Sequence, residues 1–135
     1  TEREFDRVMD VNVKGTFFCC QRALPLLLKG ENASIINLSS IWGLQGASCE
    51  SVYSASKHAV LGVTRSLADE LAQTSVSVLA VCPPMVLTDM SSNYSQAEID
   101  EFCRETSTKV YTPAEVAEAI FQAATSHSNG KIIKL

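Results

Sequence analysis

The sequence predicts an α/β chain built on a parallel sheet. Three observations carry that expectation. Helical and strand patterns alternate at short spacing along all 135 residues, the order produced when crossover helices join parallel strands. The strand-like runs Ser34–Leu38 and Val76–Val81 are short, β-branched and apolar, as buried strands are. The helix starts carry capping boxes, in which a Ser or Thr side chain and a Glu three residues later satisfy free backbone N–H groups.

Thr1 and Glu4 form the first such box. Phe5, Val8, Met9, Asn12 and Thr16 then share one face at helical spacing, a face that should be buried. This helix is expected to run to Leu28 with a bend before Pro25, and Gly30 and Asn32 stop it. After the first strand, Ser39–Glu50 reads as a loop and Ser51–Ala72 as a long helix. Its buried stripe is read as Val52, Ala55, Ala59, Val63, Ser66 and Leu67. Pro83-Pro84 ends the second strand. Residues 85–111 read as loop with one short helix, started by Ser95 and Glu98. Thr112-Pro113-Ala114-Glu115 opens a helix that runs to about Thr125. Asn129-Gly130 turns the chain into a last strand, Lys131–Leu135.

Composition narrows the function. A hydrophobic fraction of 46% and a charged fraction of 19% are those of a globular domain. The net charge of −4, without a run of like charges, argues against nucleic acid or an anionic membrane as partner. No uncharged apolar stretch reaches the roughly 18 residues of a membrane span. The five cysteines, at 19, 20, 49, 82 and 103, include no C-x-x-C pair and read as free thiols of a reducing cytosol. With only His58 and His127 beside them, a zinc site is not expected.

Tyr53 and Lys57 stand four residues apart on a helix, hence on one face one turn apart. A nearby ammonium favours a phenolate, so such a pair is a proton-transfer device as well as an ordinary surface pair. Ser40 lies two residues past a buried strand, where α/β sheets place ligand-binding groups, and thirteen residues before Tyr53. A loop of that length brings its hydroxyl beside the phenol. Together they can hold a carbonyl oxygen, Ser40 by a hydrogen bond and Tyr53 by giving a proton. Ser39 is the better candidate for capping local backbone. Asn12 is a polar residue on an otherwise apolar helix face, and it needs a partner there or bends its helix.

Four segments together resemble the short-chain dehydrogenase/reductase family: Asn12-Val13-Lys14-Gly15-Thr16, Ile35-Ile36-Asn37-Leu38-Ser39-Ser40, Tyr53-Ser54-Ala55-Ser56-Lys57 and Pro83-Pro84-Met85-Val86-Leu87-Thr88-Asp89. They span nearly the whole chain in the family's order and spacing. The resemblance implies a partial Rossmann-like, doubly wound parallel sheet comprising the last three strands and their crossover helices. It also implies hydride transfer between NAD or NADP and a small-molecule carbonyl or secondary alcohol. In that reading Tyr53 is the general acid or base, and Lys57 lowers its pKa and bonds the nicotinamide ribose. Ser40 orients the substrate oxygen, and Asn12 anchors a water leading from Lys57 to solvent. Pro83, Val86 and Thr88 join Tyr53 and Lys57 in touching the cofactor, Val86 through its backbone and Thr88 through its hydroxyl.

Two departures qualify the resemblance. The family has Pro-Gly where this chain has Pro83-Pro84, and proline fixes φ and removes an N–H. The chain also holds no G-x-x-x-G-x-G phosphate loop. Residues 1–135 are therefore expected to be the C-terminal portion of a Rossmann domain without its nucleotide-binding half, and to bind dinucleotide poorly alone. The alternative is a truncated, non-catalytic module that associates with family subunits. The family's two long helices imply a homo-oligomer, with Phe17, Leu26, Val60 and Leu61 on their outward faces. A cytoplasmic location is expected. Met90–Tyr111 reads as a lid over the substrate pocket, with Trp42 and Leu44 on another wall.

Overall fold

Three parallel strands form one sheet in the order β1 (Ala33–Leu38), β2 (Val76–Cys82), β3 (Ile132–Lys134). The structure is a computed structural model and describes residues 1–135. β1 lies beside β2 with Ala33 opposite Val76 and Leu38 opposite Val81. β2 meets β3 with Ala80 opposite Ile132.

Strand alternation sends side chains to two opposite faces. Val76, Val78, Ala80 and Cys82 of β2 turn to one face, where Ala68, Leu61 and Leu71 meet them. The helices there are α2 (Gly15–Leu27) and α3 (Ser51–Glu70). Leu79 and Val81 turn to the other face, against Ala123 and Ile120 of α5 (Pro113–Thr125). Every residue of β2 is buried, which is why its sequence is apolar without interruption. Asn129 and Gly130 stitch β3 to this centre. The Asn129 carboxamide accepts from the Val78 N–H and donates to the Ala68 carbonyl, and Gly130, at φ +75°, donates its N–H to the Val78 carbonyl.

The helix starts follow their caps. Thr1, Ser95 and Thr112 open α1 (Glu2–Met9), α4 (Gln96–Thr106) and α5, each with its reciprocal Glu. Asn32, at φ +57°, turns the chain out of α2.

Four expectations need correction. The first helix is not continuous: a π turn over Asp10–Lys14 separates α1 from α2. Phe5 is exposed and no residue of α1 is fully buried, although Val8 and Met9 on the same face are half-buried where α1 meets α3. The buried stripe of α3 is Ser54, Ser56, Val60, Leu61, Thr64 and Ala68. Val60 and Leu61 therefore face the sheet, not outward. The apolar count of the helix misleads because its inner face uses small hydroxyl residues. These satisfy themselves locally, Ser56 on the Tyr53 carbonyl and Thr64 on the Val60 carbonyl, and let the helix approach the strands.

Candidate active site

Ser40 is held from both sides by an extension of the β1–β2 ladder. The Ser39 N–H donates to Val81 and the Ile41 N–H donates to Pro83, each at 2.9 Å. A 3-10 turn, Ile41–Gly43, follows, and the Ser40 hydroxyl oxygen accepts from the Trp42 N–H at 3.2 Å. Ser39 does not cap local backbone as expected. Its hydroxyl reaches across 18 residues to the Lys57 carbonyl at 2.9 Å. Ser40 thus accepts the local capping bond expected of Ser39, with its own hydroxyl proton left free, and Ser39 ties the loop to α3. Gly43 makes that tie possible: a Cβ there would stand 2.3 Å from Ser39 Oγ and 2.8 Å from the Lys57 carbonyl oxygen. Ser54 adds a second tie, donating to the Trp42 carbonyl at 2.7 Å.

Tyr53 and Lys57 lie in the first two turns of α3, both half-buried. The Lys57 ammonium stands 5.6 Å from the Tyr53 ring centroid and donates to the Leu38 carbonyl, at the end of β1, at 3.0 Å. Its other two N–H groups have no partner in the chain. Burial pushes the Tyr53 phenol above its ordinary value; the Ser40 hydroxyl opposes this, and the Glu50 carboxylate reinforces it. No hydrogen bond of good geometry joins the Ser40 and Tyr53 hydroxyls, so that opposition is a near contact. The Lys57 ammonium is turned to the Leu38 carbonyl. Burial in turn pulls the Lys57 ammonium below its ordinary value, against a smaller influence from Cys82.

Asn12 sits in the π turn, an irregularity that occurs often at functional sites. Its carboxamide donates to Ser56 Oγ at 3.0 Å, and Ser56 donates to the Tyr53 carbonyl at 2.7 Å. The polar residue on the first helix thus reaches the turn that carries Tyr53. A second polar tie lies deeper. Asn37 of β1 donates to Thr64 Oγ1 of α3 at 2.9 Å and accepts a weak bond from the Cys20 thiol of α2.

Pro83, Val86 and Thr88 follow β2 at the same end of the sheet as Ser40. Pro83 is buried, with its carbonyl engaged by Ile41. The Val86 carbonyl accepts from Ser91 Oγ at 2.9 Å, while its N–H has no partner in the chain. Thr88 is exposed and its hydroxyl donates to no group in the chain. Trp42 meets Phe102 of α4 edge-on, with centroids 5.7 Å apart, and Leu44 is exposed. Sequence reasoning brought together Ser40, Tyr53, Lys57 and Asn12 but missed Ser39, Gly43 and Ser56. Only Gly43 carries a signal of its own, a glycine in a loop that must pass close to a helix.

Spare donors suit a nicotinamide riboside at this end of the sheet: two N–H groups on Lys57, the Val86 N–H and the Thr88 hydroxyl. Nothing on the chain offers the glycine-rich cradle that a pyrophosphate takes.

The short chain dehydrogenase family model matches residues 1–99. An uncharacterized oxidoreductase of Staphylococcus aureus (strain MW2) is 36% identical over 126 residues, 93% of this chain and 51% of that protein. The 3-oxoacyl-[acyl-carrier-protein] reductase FabG of Staphylococcus aureus (strain Mu50 / ATCC 700699) is 43% identical over 94 residues, 70% of this chain and 38% of that protein. Among solved structures, ElxO with NADP bound superposes with a TM-score of 0.88 at 29% identity, over 99% of this chain and 57% of the other. A short-chain dehydrogenase/reductase from Brucella melitensis gives 0.88 at 30% identity, over 100% and 56%. The chain spans about half the length of the curated relatives it matches. The sheet, its helices and the family model agree, and the chain belongs to the short-chain dehydrogenase/reductase family.

Proposed function

We propose that this chain carries the catalytic part of an NAD(P)-dependent oxidoreductase acting on a carbonyl or secondary alcohol. The observation that supports it most is the convergence of Ser40, Tyr53 and Lys57 at the carboxyl end of the strands. A bound nicotinamide would supply or accept the hydride. The chain's own part is proton movement and positioning. In reduction the Tyr53 phenol gives its proton to the carbonyl oxygen, and in oxidation its phenolate takes one from the alcohol. Ser40 keeps its hydroxyl proton free to donate to the same oxygen, because it only accepts in the turn. Lys57 is placed to hold ribose hydroxyls with its two spare N–H groups. Swung from the Leu38 carbonyl toward the phenol, it would oppose the effect of burial. Asn12 reaches the site through Ser56 and would anchor a water beside Lys57. Pro83, Val86 and Thr88 would line the nicotinamide.

In this reading residues 1–135 are the C-terminal portion of the domain, and the nucleotide's adenosine and pyrophosphate bind residues outside them. ElxO, by its title, binds NADP, and the Staphylococcus relative is named a 3-oxoacyl reductase. These names support NADP or NAD and a ketone substrate. The test is NADPH- or NADH-dependent reduction of a ketone panel by the chain fused behind the N-terminal half of that reductase. Turnover supports the reading. A folded fusion that turns over no ketone with either nucleotide sinks it.

A second reading, a non-catalytic module, draws on the groove between α2 and α3. Phe17, Leu24, Val63 and Leu67 line it, and Phe17 and Leu26 are exposed. The same faces would join two copies of the intact protein. No helix is long and apolar enough to cross a membrane.

A further inference from the structure

We propose that Trp42 is a positioning residue through which the lid helix α4 governs the Ser40 hydroxyl. The proposal deepens the oxidoreductase reading and rests on it for the role of Ser40. Trp42 belongs to two parts of the molecule at once. Its backbone belongs to the Ser40 turn: its N–H donates to Ser40 Oγ at 3.2 Å, and its carbonyl accepts from Ser54 of α3 at 2.7 Å. Its side chain belongs to the lid: the indole meets the Phe102 ring at 5.7 Å and 88°, the edge-to-face geometry that aromatic pairs favour.

The lid has little else to rest on. Thr106 is the one buried residue of α4, and the helix packs closely against no strand and no other helix. The segment leaves and rejoins the body at a single neck. There the Leu87 N–H donates to Tyr111 and the Tyr111 N–H donates to Met85, each at 2.9 Å. An element hinged at one neck, with Thr106 its one buried residue and the Trp42–Phe102 pair its one aromatic contact, has few buried contacts to lose on lifting.

With the lid down, the indole is held, the Trp42 N–H occupies a lone pair of Ser40 Oγ, and the hydroxyl proton is left for an acceptor on the Tyr53 side. With the lid up, the indole is free and that bond loosens. Closure over a substrate and orientation of Ser40 then become one event, and Trp42 and Phe102 give the pocket an aromatic wall suited to an apolar substrate arm.

The chain holds one tryptophan, so emission excited at the indole reports the surroundings of Trp42. In the 135-residue chain, Phe102→Ala is expected to shift Trp42 emission to the red and to increase quenching by acrylamide. Phe102→Tyr, which keeps the ring, is expected to restore both. Amide exchange at Trp42, read by NMR, should quicken roughly three- to ten-fold in Phe102→Ala, the protection an aromatic pair supports, with exchange in β2 unchanged. An unchanged emission spectrum in Phe102→Ala would overturn the contact. A shifted spectrum with unchanged Trp42 exchange, or exchange that quickens equally in β2, would overturn the coupling to Ser40. Neither readout needs turnover, so the oxidoreductase reading fails separately, on the inactivity of the fusion.

Discussion

Tyr53 and Lys57 face opposite demands from the same burial. Burial holds the phenol protonated and the ammonium ready to lose its proton, since each environment disfavours charge. A phenol whose folded value is raised contributes stability below its ordinary value of 10.0, and that contribution is lost as pH climbs through the raised value. The phenolate absorbance that disappears in Tyr53→Phe should therefore develop above pH 10 in the chain without nucleotide; development below it would contradict the burial seen here. Lys57 runs the other way. Its lowered value means that the charged form is a cost at neutral pH, relieved as pH rises toward its ordinary value of 10.5. Lys57→Met should accordingly leave the chain as stable as wild type or more so at pH 7, by up to about 1 kcal/mol in urea unfolding, because a buried charge is replaced by an apolar side chain. A loss of stability would mean that the bond to Leu38 outweighs desolvation.

At the scale of elements, the loop from Ser39 to Gly43 is the part that fixes the site, and it tolerates no extra atom. Gly43→Ala forces a Cβ against Ser39 Oγ and the Lys57 carbonyl, so it should destabilise the chain by about 1–3 kcal/mol in urea unfolding. A neutral substitution would show that the loop can move away from α3. The start of α5 gives a pH-dependent case. The Lys109 ammonium, then the Thr112 N–H and hydroxyl, hold the Glu115 carboxyl down from 4.5 to about 2. The stability it lends α5 is present above pH 4.5 and fades as pH falls toward 2. Glu115→Gln should weaken the helix above pH 4.5 and flatten the acid limb of its circular-dichroism profile; an unchanged limb would contradict the cap.

The sequence made these elements legible where local chemistry decides them. The three capping boxes, the first two strands and the Asn129-Gly130 turn stand within a residue or two of where their patterns put them. It failed where tertiary packing decides. The inner face of α3 is made of Ser54, Ser56 and Thr64, residues an apolar stripe search discards, and the π turn at Asn12 leaves no composition signal. For the proposed site, residue types and spacing point to Ser40, Tyr53 and Lys57. The tie from Ser39 to α3 depends on a carbonyl 18 residues away and was not legible.

As a whole, the molecule is a three-stranded sheet whose β1 has a partner on one side only, with covering helices. In the proposed function its spare donors would meet the nicotinamide end of a dinucleotide, and its sequence holds no glycine-rich loop for the phosphates. Titration of the 135-residue chain with NADPH should therefore show affinity weaker than micromolar, since the anion site that carries most dinucleotide binding is not among these residues. Size-exclusion chromatography should show association through α2 and α3 that Phe17→Glu with Leu26→Glu removes; a monomer at every concentration would count against those faces as an interface. The most direct test of the central claim is the steady-state rate of ketone reduction by the chain joined to a nucleotide-binding half, with Tyr53 intact and as Tyr53→Phe. The account predicts a fall of roughly 10²–10⁴-fold, the worth of a positioned proton donor, and an unchanged rate in the Phe variant would contradict it.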